Sequence, residues 1–155
     1  MSDPRPSFGV ALFAELFAID QLARARVGAA LPKGMELSQF TVLNHLARAN
    51  GERTPAQLAR AFSLTRGAIT NTLGRLERAG WVHVRPDWDD ARRKLVTISP
   101  AGRHALEDAA RALAPVVEAV IEEAGAEDLR AALPVLRRLR QRLAEPGAAR
   151  AETER

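Results

Sequence analysis

Residues 38–102, SQFTVLNHLARANGERTPAQLARAFSLTRGAITNTLGRLERAGWVHVRPDWDDARRKLVTISPAG, hold three short amphipathic stretches and then two alternating ones around a charged loop. Ser38 is the expected N-cap of the first stretch, whose Phe40, Leu43, Leu46 and Ala47 face inward until Asn50-Gly51 ends it. Thr54 caps the second, and Pro55 takes its first position, where a missing N–H costs nothing; Leu58, Ala59 and Phe62 are its inner side. Ser63-Leu64-Thr65 turns into a third helix, Arg66 to Ala79, capped by Thr65 and closed by Gly80. Its Ile69, Leu73 and Leu76 share a narrow arc with Thr72 beside them, and the opposite face carries Gly67, Asn71, Gly74 and Arg78, flanked by Thr70 and Arg75, with no acid. Val82 to Arg85 and Leu95 to Ser99 then alternate as strands joined by the polar loop 86–94. Three helices followed by a hairpin is the order of a winged helix-turn-helix that binds double-stranded DNA. A lone reading helix cannot bury its apolar stripe or fix its angle in a groove, so two supports must precede it.

Helices flank this core. Residues 8–31 place Phe8, Leu12, Leu16, Ile19, Ala23 and Val27 at three-and-four spacing, with Phe13 and Phe17 widening the stripe, up to the break at Pro32-Lys33-Gly34. Helix resumes at Pro100 and runs to about Glu123 with Pro115 as a kink; a last helix covers 126–144, bent at Pro134, with Leu129, Leu133, Leu136, Leu139 and Leu143 on one stripe. Such stripes are too extensive to face water on a stable monomer. Phe8, Leu12, Leu16, Leu129, Leu133, Leu136, Leu139 and Leu143 are therefore the expected dimerisation residues. The expected fold is mainly α with a small β-wing, one domain in which residues 8–34 and 103–145 dimerise and residues 35–102 bind DNA, with 146–155 a disordered tail.

Composition agrees and removes alternatives. The 155 residues suit one domain of ordinary size, and the absence of cysteine excludes disulfides, thiolate zinc sites and thiol redox sensing. Three histidines, His45, His83 and His104, are too scattered for a metal spacing, so neither metal nor cofactor is expected. No apolar run spans a bilayer and Met1-Ser2-Asp3-Pro4 is unlike a secretory signal, which implies a cytoplasmic protein with no membrane partner. The net charge of +4 is concentrated in the middle: residues 51–103 hold 10 Lys+Arg against 5 Asp+Glu, while the segments on either side are close to neutral. A basic patch on a compact element is what phosphate neutralisation requires. Nothing resembles a catalytic set, so an enzyme is not expected.

The third helix of the core is the first candidate site. Thr65 holds the helix N-terminus near a phosphate, and Arg66, Thr70, Asn71, Arg75 and Arg78 face bases or backbone, because arginine forks match guanine acceptors and asparagine matches adenine. An exposed Gly74 costs the helix roughly 1 kcal/mol, explained by close approach to DNA or by tolerated drift. The hairpin tip Arg92-Arg93-Lys94 is the second candidate, suited to a minor groove, with Asp90 bracing the loop. The competing readings are a solvated helix face and a hairpin charged for solubility. Trp88 is expected to pack against the base of the wing rather than to touch sugar and phosphate.

Residues 38–102 resemble the DNA-binding core of the MarR family (multiple antibiotic resistance regulators) of bacterial winged-helix proteins. The resemblance rests on Leu64-Thr65-Arg66-Gly67-Ala68-Ile69-Thr70, on Leu76-Glu77-Arg78-Ala79-Gly80-Trp81-Val82, and on Asp90-Ala91-Arg92 with Val96-Thr97-Ile98-Ser99-Pro100-Ala101-Gly102. The outer helices match in order and length. The resemblance implies an obligate homodimer with interlocked first and last helices, and a regulator that represses its promoter until a small-molecule effector releases it. Trp88, Ser99, Gly67 and Ala68 depart from the usual residues, the last two removing hydroxyls that contact phosphate. Missing cysteines exclude the peroxide-sensing branch and sparse histidines disfavour the zinc-sensing one. His45, with Thr41 and Arg48, lies near where the family keeps a ligand cavity, as do Asp20 and Arg24; a surface histidine and a plain helix ion pair are the simpler readings of these three. Two rivals stand beside a repressor: a winged-helix activator or chromosome organiser, and a helical module whose winged helix contacts protein.

Overall fold

The computed structural model describes residues 7–49 and 51–145. Asn50, half of the expected helix stop, and the tail 146–155 lie outside the described residues. The elements are α1 (Phe8–Ala30), α2 (Leu37–Ala49), α3 (Pro55–Ala61), α4 (Arg66–Arg78), β1 (Val82–Pro86), β2 (Lys94–Ile98), α5 (Pro100–Ala124) and α6 (Ala126–Ala144). The chain divides into two compact units between Val116 and Val117, within α5.

In the first unit the core lies among α2, α3, α4, the β-hairpin and the start of α5. Leu43, Leu46, Leu58, Ile69, Leu76 and Val96 are shut off from solvent almost completely, and Val42, Val82, Ile98 and Ala109 join them. The inner faces expected for α3 and α4 hold Leu58, Ala59, Ile69, Leu73 and Leu76. Three aromatic or small residues expected inside, Phe40, Ala47 and Phe62, are only half-buried against this core, while Val42 and Gln39 are buried.

Local chemistry explains most of the boundaries. α3 carries a reciprocal cap: the Gln57 N–H donates to Thr54 Oγ1 at 3.1 Å and the Thr54 N–H donates to Gln57 Oε1 at 2.8 Å. Thr65 caps α4 by accepting from the Ala68 N–H at 3.2 Å, and Gly80, at φ +72°, lets the chain leave that helix in the left-handed region. The expected cap of α2 is displaced. That helix begins at Leu37, so Ser38 lies within its first turn, and the Glu36 N–H is satisfied by Gln39 Oε1 at 2.8 Å. An amide three residues into a helix reaches the entry N–H as well as a serine at the cap reaches inward, and here the amide does so.

β1 and β2 pair antiparallel with Val82 opposite Ile98 and Val84 opposite Val96, which turns this face to the core. Arg53 pairs with the other edge of β2, its N–H donating to Val96 O at 3.0 Å and its carbonyl accepting from Val96 N–H at 2.8 Å. Ser99, buried, ties the wing to α5: its hydroxyl donates to Gly80 O at 2.6 Å and accepts from the Gly102 N–H at 3.0 Å, and its N–H donates to Trp81 O at 3.0 Å. Gly102 is obligatory there, because a Cβ would stand 2.0 Å from Trp81 O.

α5 and α6 each continue through their prolines, Pro115 and Pro134, as single helices. In the second unit Leu129, Leu133, Leu136 and Leu143 are exposed, with Leu139 half-buried. In the first unit no residue of α1 is buried; Phe8 is 83% exposed, Phe17 and Leu22 are also exposed, and Leu12 and Leu16 are half-buried. Among the described residues no helix is long and apolar enough to cross a membrane.

Candidate nucleic-acid interface

The cap at Thr65 and the apolar arc through Ile69, Leu73 and Leu76 fix the rotation of α4 about its own axis, and that rotation decides which side chains look outward. Arg66, Thr70, Asn71 and Arg78 are exposed. Arg66, Ile69 and Thr70 of α4 line an open cavity of about 380 Å³ together with Arg92, Arg93 and Lys94 of the wing and Thr54, Pro55 and Ala56 at the start of α3. All four charged residues lining the cavity are cations, so the groove between reading helix and wing is suited to a passing phosphate chain.

The wing loop is held by its acids. The Arg92 N–H donates to Asp90 Oδ1 at 3.0 Å and the Asp89 N–H donates to Asp87 Oδ1 at 3.1 Å, two aspartate-built turns in succession. Asp90 also approaches the Arg92 guanidinium at 3.6 Å, and Asp87, largely enclosed, lies 3.7 Å from that of Arg93. The Arg92 side chain nevertheless stays 95% exposed. The backbone closes the loop from within, the Asp87 N–H donating to Arg93 O at 2.9 Å.

Trp88 corrects the expectation that it packs against the wing base. It is 84% exposed, touched by the Arg85 guanidinium 5.7 Å from its ring centre. Arg85 is itself clamped by Glu52 through two hydrogen bonds of 2.7 and 2.6 Å. With the loop turned by Asp87 and Asp90, the third position of the hairpin projects into solvent, and the indole finds only a cation beside it.

Arg75 is placed differently from its neighbours. Half-buried, it pairs with Glu36 at the entrance to α2. The expectation of an outer face without acids is corrected by Glu77, exposed seven residues after Thr70 and so on the same side of α4, and tertiary structure brings a second acid, Glu36, to Arg75. Glu36, Glu52, Arg85 and Asp87 were not among the residues singled out from sequence. Asp87 was discoverable as a loop aspartate two residues before a chain turn. Glu36 and Glu52 gave no such signal, since each meets its arginine across more than thirty residues.

A second cavity, of about 330 Å³, is lined by Arg24, Leu37, Ser38, Thr41, Val42, Phe62, Leu64 and Thr72. Of the three residues expected near a ligand, Arg24 lines it, Asp20 holds Arg24 through bonds of 2.8 and 3.0 Å, and His45 lies outside it. His45 is half-buried rather than a surface histidine, its ring set edge-on to Phe62 with centroids 5.2 Å apart. Burial, then the charges of Arg53 and Arg48, push its pKa below the ordinary histidine value. Among the described residues no three His, Asp or Glu side chains gather as metal ligands.

Residues 33–93 match the sequence model of the MarR family. The chain is 34% identical over 110 residues to the transcriptional activatory protein BadR of Rhodopseudomonas palustris, covering 68% of this chain and 62% of that protein. It is 37% identical over 71 residues to the multiple antibiotic resistance protein MarR of Salmonella typhimurium, covering 46% and 49% of the two. It thus spans about half to two thirds of the length of these curated relatives. The crystal structure of the transcriptional regulator BldR from Sulfolobus solfataricus superposes with a TM-score of 0.70 at 25% identity, over 84% of this chain and 95% of that one. With a sequence match centred on the helix-turn-helix and a fold match that extends through the flanking helices, the chain belongs to the MarR family of winged-helix regulators.

Proposed function

We propose that this chain is a sequence-specific, double-stranded DNA-binding transcription regulator that acts as a homodimer on a pseudo-palindromic operator. The observation that carries the reading is the cation-lined groove between α4 and the wing, lined by Arg66 and Thr70 together with Arg92, Arg93 and Lys94. In this arrangement α4 enters the major groove with Asn71, Thr70 and Arg66 toward base edges, Arg78 and the capped start of α4 at Thr65 meet backbone phosphates, and Arg92 enters the flanking minor groove. Asp90 keeps the tip in shape. The exposed Phe8 on α1 and the exposed leucines of α6 suit a second copy, which also supplies the second reading helix that a two-fold site needs.

The cavity beside Arg24 has the volume of a small-molecule site. Val42, Phe62 and Leu64 offer it an apolar lining beside Arg24, whose guanidinium is already held by Asp20, so the effector class we assign is a small aromatic compound. The sign of regulation follows operator position rather than fold, and the relative named as an activatory protein gives activation a specific claim beside repression.

Selection of bound sequences from random duplexes tests the reading. The expected outcome is a pseudo-palindrome with half-sites one helical turn, about 10 base pairs, apart. Failure to be retained on duplex DNA at low salt would instead favour a module that contacts protein.

A further inference from the structure

Glu36 is anchored before it reaches Arg75. Its N–H donates to Gln39 Oε1 at 2.8 Å and its carbonyl accepts from the Phe40 N–H at 3.0 Å, so the carboxylate is presented from the position just before α2. From there it pairs with Arg75 Nη1 on α4. Arg75 follows Asn71 by four residues, which stacks the two along one side of the helix. Arg66 and Arg78, on the same helix, take part in none of the ion pairs found among the described residues.

The pair is open to water, its side chains 40% and 59% exposed. Exposed pairs shift an equilibrium by no more than about fivefold. A DNA phosphate offers the same guanidinium a bidentate, charge-assisted partner, and the exchange also releases a counterion. The contact is therefore strong enough to hold Arg75 in the free protein and weak enough for DNA to break.

We propose that Glu36 withholds Arg75 from the DNA backbone, so that this acid, outside the reading helix, sets the affinity and salt dependence of binding. The proposal rests on the DNA-binding reading above. It makes Glu36 a positioning residue that acts through Arg75 and contributes no contact of its own to DNA.

A four-member cycle tests it: wild type, Glu36→Gln, Arg75→Ala and the double variant, each titrated by fluorescence anisotropy against the selected operator duplex across a salt series. Glu36→Gln, close in shape and on an exposed side chain, should tighten binding by up to about fivefold per half-site at low salt and steepen the slope of log K against log salt by less than about 0.9 per half-site, because Arg75 reaches phosphate in both proteins and salt only screens the pair that wild type must break. In the Arg75→Ala background the same change should alter affinity by less than about twofold and leave the slope alone. Equal tightening in both backgrounds would show that Glu36 merely repels phosphate, and overturns the proposal. So does weaker binding by Glu36→Gln, which would mean that Glu36 presents Arg75 to DNA. A wild-type protein that binds no duplex overturns the DNA-binding reading together with the proposal, a result distinct from every pattern within the cycle.

Discussion

Gly102→Ala probes the joint that aims the wing. The added methyl would stand 2.0 Å from Trp81 O, 2.9 Å from its carbonyl carbon and 3.0 Å from Ile98 Cγ1, where ordinary contact begins at 3.4 Å. Backbone cannot rotate aside as a flexible side chain can, so α5 has to move more than an ångström away from Trp81. That displacement breaks the joint made by Ser99: the bonds of 2.6 Å to Gly80 O, 3.0 Å from the Gly102 N–H and 3.0 Å to Trp81 O. At about 1 kcal/mol each their loss costs about 3 kcal/mol. Alanine regains up to about 1 kcal/mol of helix propensity over glycine. The net loss is about 2 kcal/mol, and for a domain of this size that lowers Tm by about 4–8 °C. The assay is thermal unfolding followed by circular dichroism at one fixed protein concentration, since a dimer's Tm depends on it. Gly74→Ala is the control, because nothing lies within 4 Å of its added methyl; it should raise Tm by about 2–4 °C, and should weaken operator binding if Gly74 lies against DNA. A Gly102→Ala protein that melts within about 2 °C of wild type would refute the reasoning, because it would show that α5 and Trp81 separate at no cost.

Asn71→Ala should cost about 1–3 kcal/mol on the preferred operator and relax one base position per half-site, with the salt slope unchanged because no charge is removed; equal weakening on random duplexes would move Asn71 to backbone support. Arg92→Ala should weaken operator binding and flatten the salt dependence, whereas Asp90→Ala should weaken binding despite removing an acid, since the Arg92 N–H then loses its 3.0 Å acceptor; tighter binding by Asp90→Ala in an anisotropy titration rules out the brace. Burial lowers the pKa of His45 in the fold, so the unfolded chain takes up the proton first and stability should fall as pH drops through and below about 6.5; His45→Gln should flatten that slope in denaturant titrations at successive pH values, and an unchanged slope would place the effect elsewhere. Leu136→Glu, on the exposed stripe of α6, should give a monomer or an aggregate by sedimentation; a well-folded dimer with unchanged Tm would exclude that stripe as the interface.

The sequence alone was enough for the features whose causes are local. Helix periodicity, the caps at Thr54 and Thr65, the stop at Gly80 and the two alternating strands depend on residues within a turn or two of each other, and the structure puts α3, α4 and the hairpin where those patterns place them. The cations at the wing tip were legible for the same reason, as was the aspartate that turns the loop. The cap of α2 was misplaced because serine and glutamine competed within one turn, and a local pattern does not rank them. The exposure of Trp88 depended on the path that the two aspartate-built turns impose on the loop, and the half-burial of His45 on Phe62, which arrives from the end of α3. Only the tertiary structure decided that Arg75 is held by Glu36 and Arg85 by Glu52, and that Gly102 lies against Trp81. These contacts join residues far apart in the chain, and their charge and shape complementarity exists only after packing has brought the elements together.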